Sequence, residues 1–278
     1  MKFVGRGQPL TRAGLNKALA MLGLGVNDAA YIWTVVEVET AGLTQGFGFR
    51  VDRRPQILFE RHMFRKYTNG RFDGAAPDIS GPAGGYGLLS EQYNKLEKAL
   101  SLCAKAKLGS EPALKSASWG MGQVMGFNCA IGGYQSCVRM VQAMVRSEDA
   151  QLACMAGFLK ANGLAEKLLN KDWTGFARLY NGPSYWQNRY DIKLAEQFQR
   201  FASGSLPNLE MRTAQVALLF LGYAPGRIDG MIGPRTRAAI KNFCITAGLS
   251  AGEELDGRTY QALCKKSHDP IYNLVQET

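Results

Sequence analysis

The sequence predicts a mainly α protein, with a large helical domain of minor β content followed by a small three-helix domain. Three features carry that expectation. Apolar residues recur at helical spacing in residues 11–23, 90–106 and 134–201. Residues 42–88, by contrast, are rich in Gly, Pro and Asp and hold only short apolar runs. The small polar stretch ASGSLPN, 202–208, then interrupts the helical pattern before it resumes. One domain is therefore expected over 1–202, a linker over 203–207, and a second domain with a C-terminal tail over 208–278. With 46% hydrophobic and 20% charged residues, 278 residues are enough to bury a core in each.

TRAGLNKALAMLG, 11–23, reads as a first helix with Thr11 as its N-cap, and Asn27 is placed to cap a second that contains YIWTVVEVETAG, 31–42. Residues 42–88 suggest loops, short strands such as QILFE, and a helical turn. SEQYNKLEKALSLCAKA restores the helical period, and from Tyr134 to Phe201 helices recur with stops at Gly163 and Gly182. The opening MKFVGRGQPLTRAG lacks the apolar centre of a signal peptide, and no run of roughly 18 apolar residues follows, so no stable membrane insertion is expected. Six cysteines (103, 129, 137, 154, 244 and 264) form no CxxC pair and read as reduced core residues. The two histidines, His62 and His268, fall in separate domains, too few for a zinc amidase or peptidase, so neither a metal nor another cofactor is expected. Nothing near the cysteines suggests the activation that a cysteine peptidase needs.

The formal charge is +10, and residues 206–278 carry eight Lys/Arg against seven Asp/Glu, which leaves +9 on residues 1–205. A basic surface suits nucleic acid, anionic lipid or an anionic wall polymer alike. Zinc-finger spacing, basic heptads and RNP-type aromatics are all missing, so nucleic acid is not the expected partner.

Within YIWTVVEVETAG, two glutamates stand two positions apart in a β-branched run. As a strand, the segment would put both on one wet face. As a helix, at about 100° per residue, Glu37 and Glu39 diverge by about 200°. Glu39 then lies amid Ile32, Val35 and Val36, and Glu37 beside Trp33 and Thr34. A carboxyl at the centre of an apolar arc loses hydration, which favours its neutral form and suits it to act as a general acid.

Two later stretches bear on that carboxyl. ASWGMGQVMG, 117–126, surrounds Met121 and Gln123 with glycines that could let a backbone approach a flat ligand, and ARLYNG, 177–182, presents Tyr180 and Asn181 at a helix end. Glutamate plus a small hydroxyl residue near a helix end, then S-x-G-x-x-Q-[VI], then Y-N-G, resembles the three-motif signature of the goose-type lysozyme and lytic transglycosylase superfamily. VEVETAG followed by RRPQILFERHMF, SWGMGQVMG and YNG is similar, over roughly residues 10–202, to the N-acetylmuramidase domain of modular endolysins from phages of Gram-negative bacteria. That resemblance implies a lysozyme-like α fold with Glu39 as the catalytic acid. It also implies a sugar site lined by Ser118, Gly120, Met121 and Gln123, with Tyr180 orienting the carboxyl and Asn181 binding an N-acetylated sugar. LGYAPGRIDGMIGPRTRAAIKNF resembles the small three-helix peptidoglycan-binding domain of wall hydrolases, except that Cys244 stands where that family usually has Gln.

The implied substrate is peptidoglycan, cut at the β-1,4 bond between N-acetylmuramic acid and N-acetylglucosamine by a chain expected to be monomeric. Hydrolysis needs a second carboxylate, whereas a lytic transglycosylase closes the muramic 6-hydroxyl onto its own anomeric carbon and can work with one. Glu60, in ILFERH, is the preferred second acid, with Asp52 and Asp78 as other candidates and pairing to Arg61, Arg65 or His62 as its structural alternative. A non-catalytic wall-binding protein is the competing class. The resemblance further implies synthesis in the host cytoplasm without a signal peptide and action on peptidoglycan in the periplasm.

Overall fold

A computed structural model describes residues 2–41 and 46–267, so His268, Gly42 and the C-terminal tail lie outside the described residues. Thr11 caps the first helix, α1 (Arg12–Met21), by accepting a hydrogen bond from the Gly14 amide at 3.0 Å. The expected cap at Asn27 gives way to a neighbouring one. Val26–Asp28 form a 3-10 turn in which the Asp28 carboxylate accepts from the Gly25 amide at 2.8 Å, and α2 (Ala29–Thr40) starts directly after it.

YIWTVVEVET is thus helical despite its β-branched content, and α2 is buried on nearly every side. Its two threonines tolerate this because their hydroxyls donate back to carbonyls one turn earlier, Thr34 to Ala30 at 2.7 Å and Thr40 to Val36 at 2.6 Å. Helices so enclosed are held by packing rather than by propensity.

After α2 come strand β1 (Ile57–Phe59), α3 (Arg61–Tyr67), α4 (Gln92–Lys105) and α5 (Glu111–Lys115), then β2 (Ala117–Trp119) and β3 (Val124–Met125). The three strands form one small antiparallel sheet in sequence order, with Leu58 opposite Ser118 and Ser118 opposite Met125. Helices α6 (Cys137–Met144), α7 (Glu148–Ala161), α8 (Leu164–Leu169), α9 (Trp173–Tyr180) and α10 (Tyr190–Ser203) complete the larger part. Gly163 and Gly182 take left-handed φ of +67° and +89°, the conformation that ends α7 and α9 at the expected places. α1 packs along α7, and α10 along α2, where the Phe198 ring lies 4.6 Å from that of Tyr31. All six cysteines are unpaired, five of them buried, as read from their spacing. No single described helix is long and apolar enough to cross a bilayer.

The smaller part is a three-helix unit of α11 (Leu209–Phe220), α12 (Pro234–Ala247) and α13 (Gly257–Ser267). Gly233 and Pro234 open α12 as expected, and Ala239, Ile240 and Phe243 point into its core together with Cys244.

The two parts are not merely strung on a linker. Arg212 of α11, 1% exposed, reaches across to the fully enclosed Glu148 at the start of α7, donating through both terminal nitrogens, and its Nη2 also reaches the Gly46 carbonyl. The other donors to Glu148 are the amides of Leu10 and Gly48, at 2.8 and 2.9 Å. Arg53 sits over the Phe220 ring at 4.2 Å and donates to the Ser267 carbonyl at the end of α13 at 2.9 Å. Phe47 and Phe49 form one apolar cluster with Val216, Phe220 and Ile228, each side chain contributing roughly 1.5–3 kcal/mol on burial. Glu37, 8% exposed, pairs with Arg200 on α10 and with Arg227 of the smaller part. The helical wheel set Glu37 beside Trp33 and Thr34, away from the apolar arc around Glu39, and it is buried because that side is covered by residues far away in sequence.

Candidate active site

Glu39 occupies the last turn of α2, where its side chain keeps some accessible surface while its carboxyl is crowded by protein atoms. That desolvation pushes its pKa up to about 7, against a smaller opposing effect from one hydrogen bond, donated by Asn181 Nδ2 to Oε1 at 2.9 Å. The carboxyl therefore holds its proton through much of the pH range in which an ordinary glutamate is ionised.

Asn181 follows the last residue of α9, so the αL glycine at 182 that ends this helix also fixes where the amide points. The resemblance gave the carboxyl to Tyr180 and a sugar to Asn181, but the geometry divides the work otherwise. Tyr180 is stacked on Phe176 and its hydroxyl donates to the Gly122 carbonyl, clamping the glycine-rich loop. Asn181 takes the carboxyl with its nitrogen, and its buried Oδ1 has no hydrogen-bond partner among the described residues. An acceptor left open beside the acid is what the amide N–H of an acetamido group would meet.

The loop itself is the turn between β2 and β3. Gln123 adopts φ +44°, an uncommon conformation for a residue with a side chain, and is held there from both ends. Its Oε1 accepts from Ser118 Oγ at 2.7 Å and its Nε2 donates to the Gly120 carbonyl at 2.7 Å. The glycines correct the expectation that they open the loop to a flat ligand. A Cβ on Gly120 would meet the Gln151 side chain at 2.7 Å, and one on Gly122 the Met155 side chain at 2.7 Å. They are small because α7 packs behind the loop. Met121 is likewise turned inward, fully buried, so its side chain belongs to the core and lines no sugar site. Ser118, Gly120 and Gln123 shape the loop, and of these only Gln123 is appreciably exposed.

Glu60 directly follows β1, and its amide donates to the Ser116 carbonyl at 2.8 Å, extending the ladder. Strand alternation puts it on the sheet face shared by Leu58 and Ser118, the same face that carries Gln123's hydroxyl partner. Burial raises its pKa, opposed by His62, whose Nδ1 is 3.1 Å from Oε2, and by a hydrogen bond from Tyr86. The other candidate acids are engaged outside this face. Asp52 is bound by Arg50 and Arg54, and Lys98 holds Asp78 at 2.6 Å and lowers its pKa.

Two contributors lie outside the motifs that the sequence singles out. Gln151, fully buried on α7, accepts from the Met121 amide at 2.9 Å and donates to the Met144 carbonyl at 3.1 Å, so it fixes the loop from behind. Tyr190, at the start of α10, lies near enough that the charge of Glu39 adds to burial in raising its pKa. The density of aromatics in YNGPSYWQNRY was the available cue for Tyr190, whereas Gln151 sits in an ordinary helical pattern.

The N-acetylmuramidase family matches residues 28–202, and a putative peptidoglycan binding domain matches residues 208–263. No curated protein sequence matches the chain. Among solved structures, the crystal structure of the Burkholderia AP3 phage endolysin is 34% identical, with a TM-score of 0.59, over 70% of this chain and 72% of that one. On the extent of these matches, the chain belongs to the N-acetylmuramidase family and carries a C-terminal peptidoglycan-binding domain.

Proposed function

We propose that the protein is an endolysin that cleaves the β-1,4 bond between N-acetylmuramic acid and N-acetylglucosamine, with Glu39 as the general acid. The observation that carries this reading is a single carboxyl with a pKa of about 7, held by Asn181 at the head of a braced loop. Protonated Glu39 gives its proton to the leaving glycosidic oxygen as positive charge develops at the anomeric carbon. Asn181 keeps the carboxyl aligned throughout and offers Oδ1 to the acetamido group of the bound sugar. Ser118, Gly120, Gln123 and Tyr180 hold the loop that forms the wall of the groove. Glu60, on the same sheet face as Ser118, is the candidate base that activates water. The C-terminal domain keeps the enzyme on the wall of Gram-negative bacteria, in the periplasm, and raises the local substrate concentration.

The engagement of Glu60 by Tyr86 and His62 favours a second reading of the final step. In it, Glu39 acts alone, first as acid and then as base toward the muramic 6-hydroxyl, which attacks the anomeric carbon. Mass spectrometry of soluble fragments from purified Gram-negative sacculi separates the two. Reducing muramic ends indicate hydrolysis, anhydromuramic ends remove Glu60 from the chemistry, and a protein that sediments with sacculi but releases nothing is a binding protein.

A further inference from the structure

The seam between the two parts encloses a cleft of about 910 Å³, walled by residues of both. Arg50, Gln56, Leu89 and Ser90 come from the larger part, and Tyr223 and Arg235 are among those from the smaller. Two guanidinium groups enter its lining and no carboxylate does, although Asp52 holds Arg50 from outside at 3.4 Å. Arg235 is exposed, and a Cβ on Gly226 would come within 3.3 Å of its Cβ, so the glycine allows the arginine stem to lie against the loop. Thr236 ties the start of α12 to that loop by donating to the Pro225 carbonyl at 2.9 Å. Leu89, on the wall, and Val51, in the lining beside Arg50, are 42% and 63% exposed, large apolar surface left in water.

The cleft and the catalytic loop share a wall residue. The Gln56 carbonyl accepts from the Gly120 amide at 2.8 Å, so one residue forms the cleft wall and braces the catalytic loop. The loop that supplies Leu89 and Ser90 also carries Tyr86, which lies near enough to Glu60 that the carboxylate adds to burial in raising its pKa. Gln92 binds that loop to β1, donating to the Tyr86 carbonyl at 2.7 Å and accepting from the Phe59 amide at 2.8 Å. A ligand in the cleft would be fixed in register with the glycan on the other side of these residues.

We propose that the seam cleft binds the acidic peptide stem of the strand being cut, its carboxylates on Arg50 and Arg235 and its alanine methyls against the apolar wall. This rests on the reading that the substrate is peptidoglycan. Neither part of the chain holds the site alone, so recognition of stem and cleavage of glycan become one event.

The test uses the full chain with Arg235→Glu and with Ala238→Trp, which fills the cleft from the exposed face of α12. An acidic side chain suits the first turn of a helix, so Arg235→Glu is compatible with folding. A fluorescent tetrapeptide of L-Ala, γ-linked D-Glu, diaminopimelate and D-Ala is titrated by anisotropy. Arg235→Glu should bind about tenfold more weakly than the unmodified protein, the loss expected for one charge-assisted contact, and Ala238→Trp at least tenfold more weakly because its ring occupies the cleft. Cleavage of intact sacculi should fall severalfold while cleavage of glycan strands stripped of their peptides is unchanged. The proposal is overturned if the peptide binds no better than its fully amidated form, if both variants bind it normally, or if bare glycan or an oligonucleotide displaces it. Failure of the unmodified protein to cut either substrate would instead overturn the enzymatic reading, and the anisotropy would still decide the cleft.

Discussion

Glu148 at the seam is fully enclosed and accepts hydrogen bonds from two backbone amides and both terminal nitrogens of Arg212, whereas Glu39 at the end of α2 has, among the described residues, one amide partner in Asn181. Both carboxyls are removed from bulk water, and the number of donors facing them sets their use. Four donors, two of them from one guanidinium, make Glu148 a fixed joint. With Asn181 its one donor among the described residues, Glu39 is desolvated with its proton on, so burial yields an acid.

The sharpest way to break this contrast is Glu39→Gln. It should lower the rate of sacculus digestion about a thousandfold, within the range for losing a general acid, while leaving sedimentation with sacculi intact. Activity within tenfold of the original would move the acid elsewhere.

At the seam, Arg212→Met should destabilise the fold by about 3–5 kcal/mol in urea, because it strands a buried charge. Adding Glu148→Gln should restore much of that, and no restoration would mean that Arg212 acts through packing alone.

The pH dependence should differ as well. Because folding raises the pKa of Glu39 from 4.5 to about 7, the folded state binds the extra proton between those values. Its contribution to stability therefore falls as pH rises and levels off above 7. Activity should decline through the same upper limit, and Glu39→Gln should be more stable than the original by about 3 kcal/mol at pH 8 and no different at pH 4. Equal stability at both pH values would show that the carboxyl is not desolvated. The smallest effect is expected of Tyr180→Phe, which removes one hydrogen bond to Gly122: about 1 kcal/mol of stability and a severalfold slower digestion, with the pH profile unmoved. A shift in the profile would place Tyr180 on the acid after all.

Much of this could be read from residue order, because it depends on neighbours in sequence. Thr11 capping α1, the stops at Gly163 and Gly182, the Gly233–Pro234 start of α12 and the apolar setting of Glu39 are all local. What could not be read depends on partners far along the chain. Gly120 and Gly122 looked like openings for a ligand, and are small because α7 lies behind them. Glu37 lay beside Trp33 and Thr34 on the helical wheel with no partner in view, and is covered by Arg227, which follows it by 190 residues. ASGSLPN looked like a flexible joint, and nothing nearby announced that Arg212 would seek out Glu148.

That last pair also has a consequence for biosynthesis. Chains leave the ribosome N-terminus first, and Arg212 follows Glu148 by 64 residues. Until α11 emerges, the nascent larger domain carries an enclosed carboxylate with no counter-charge and a phenylalanine pair, Phe47 and Phe49, with no cover. Its last packing step is therefore supplied by the C-terminal peptidoglycan-binding domain, and an engineered variant that exchanges that domain should carry Arg212, Val216 and Phe220 across with it.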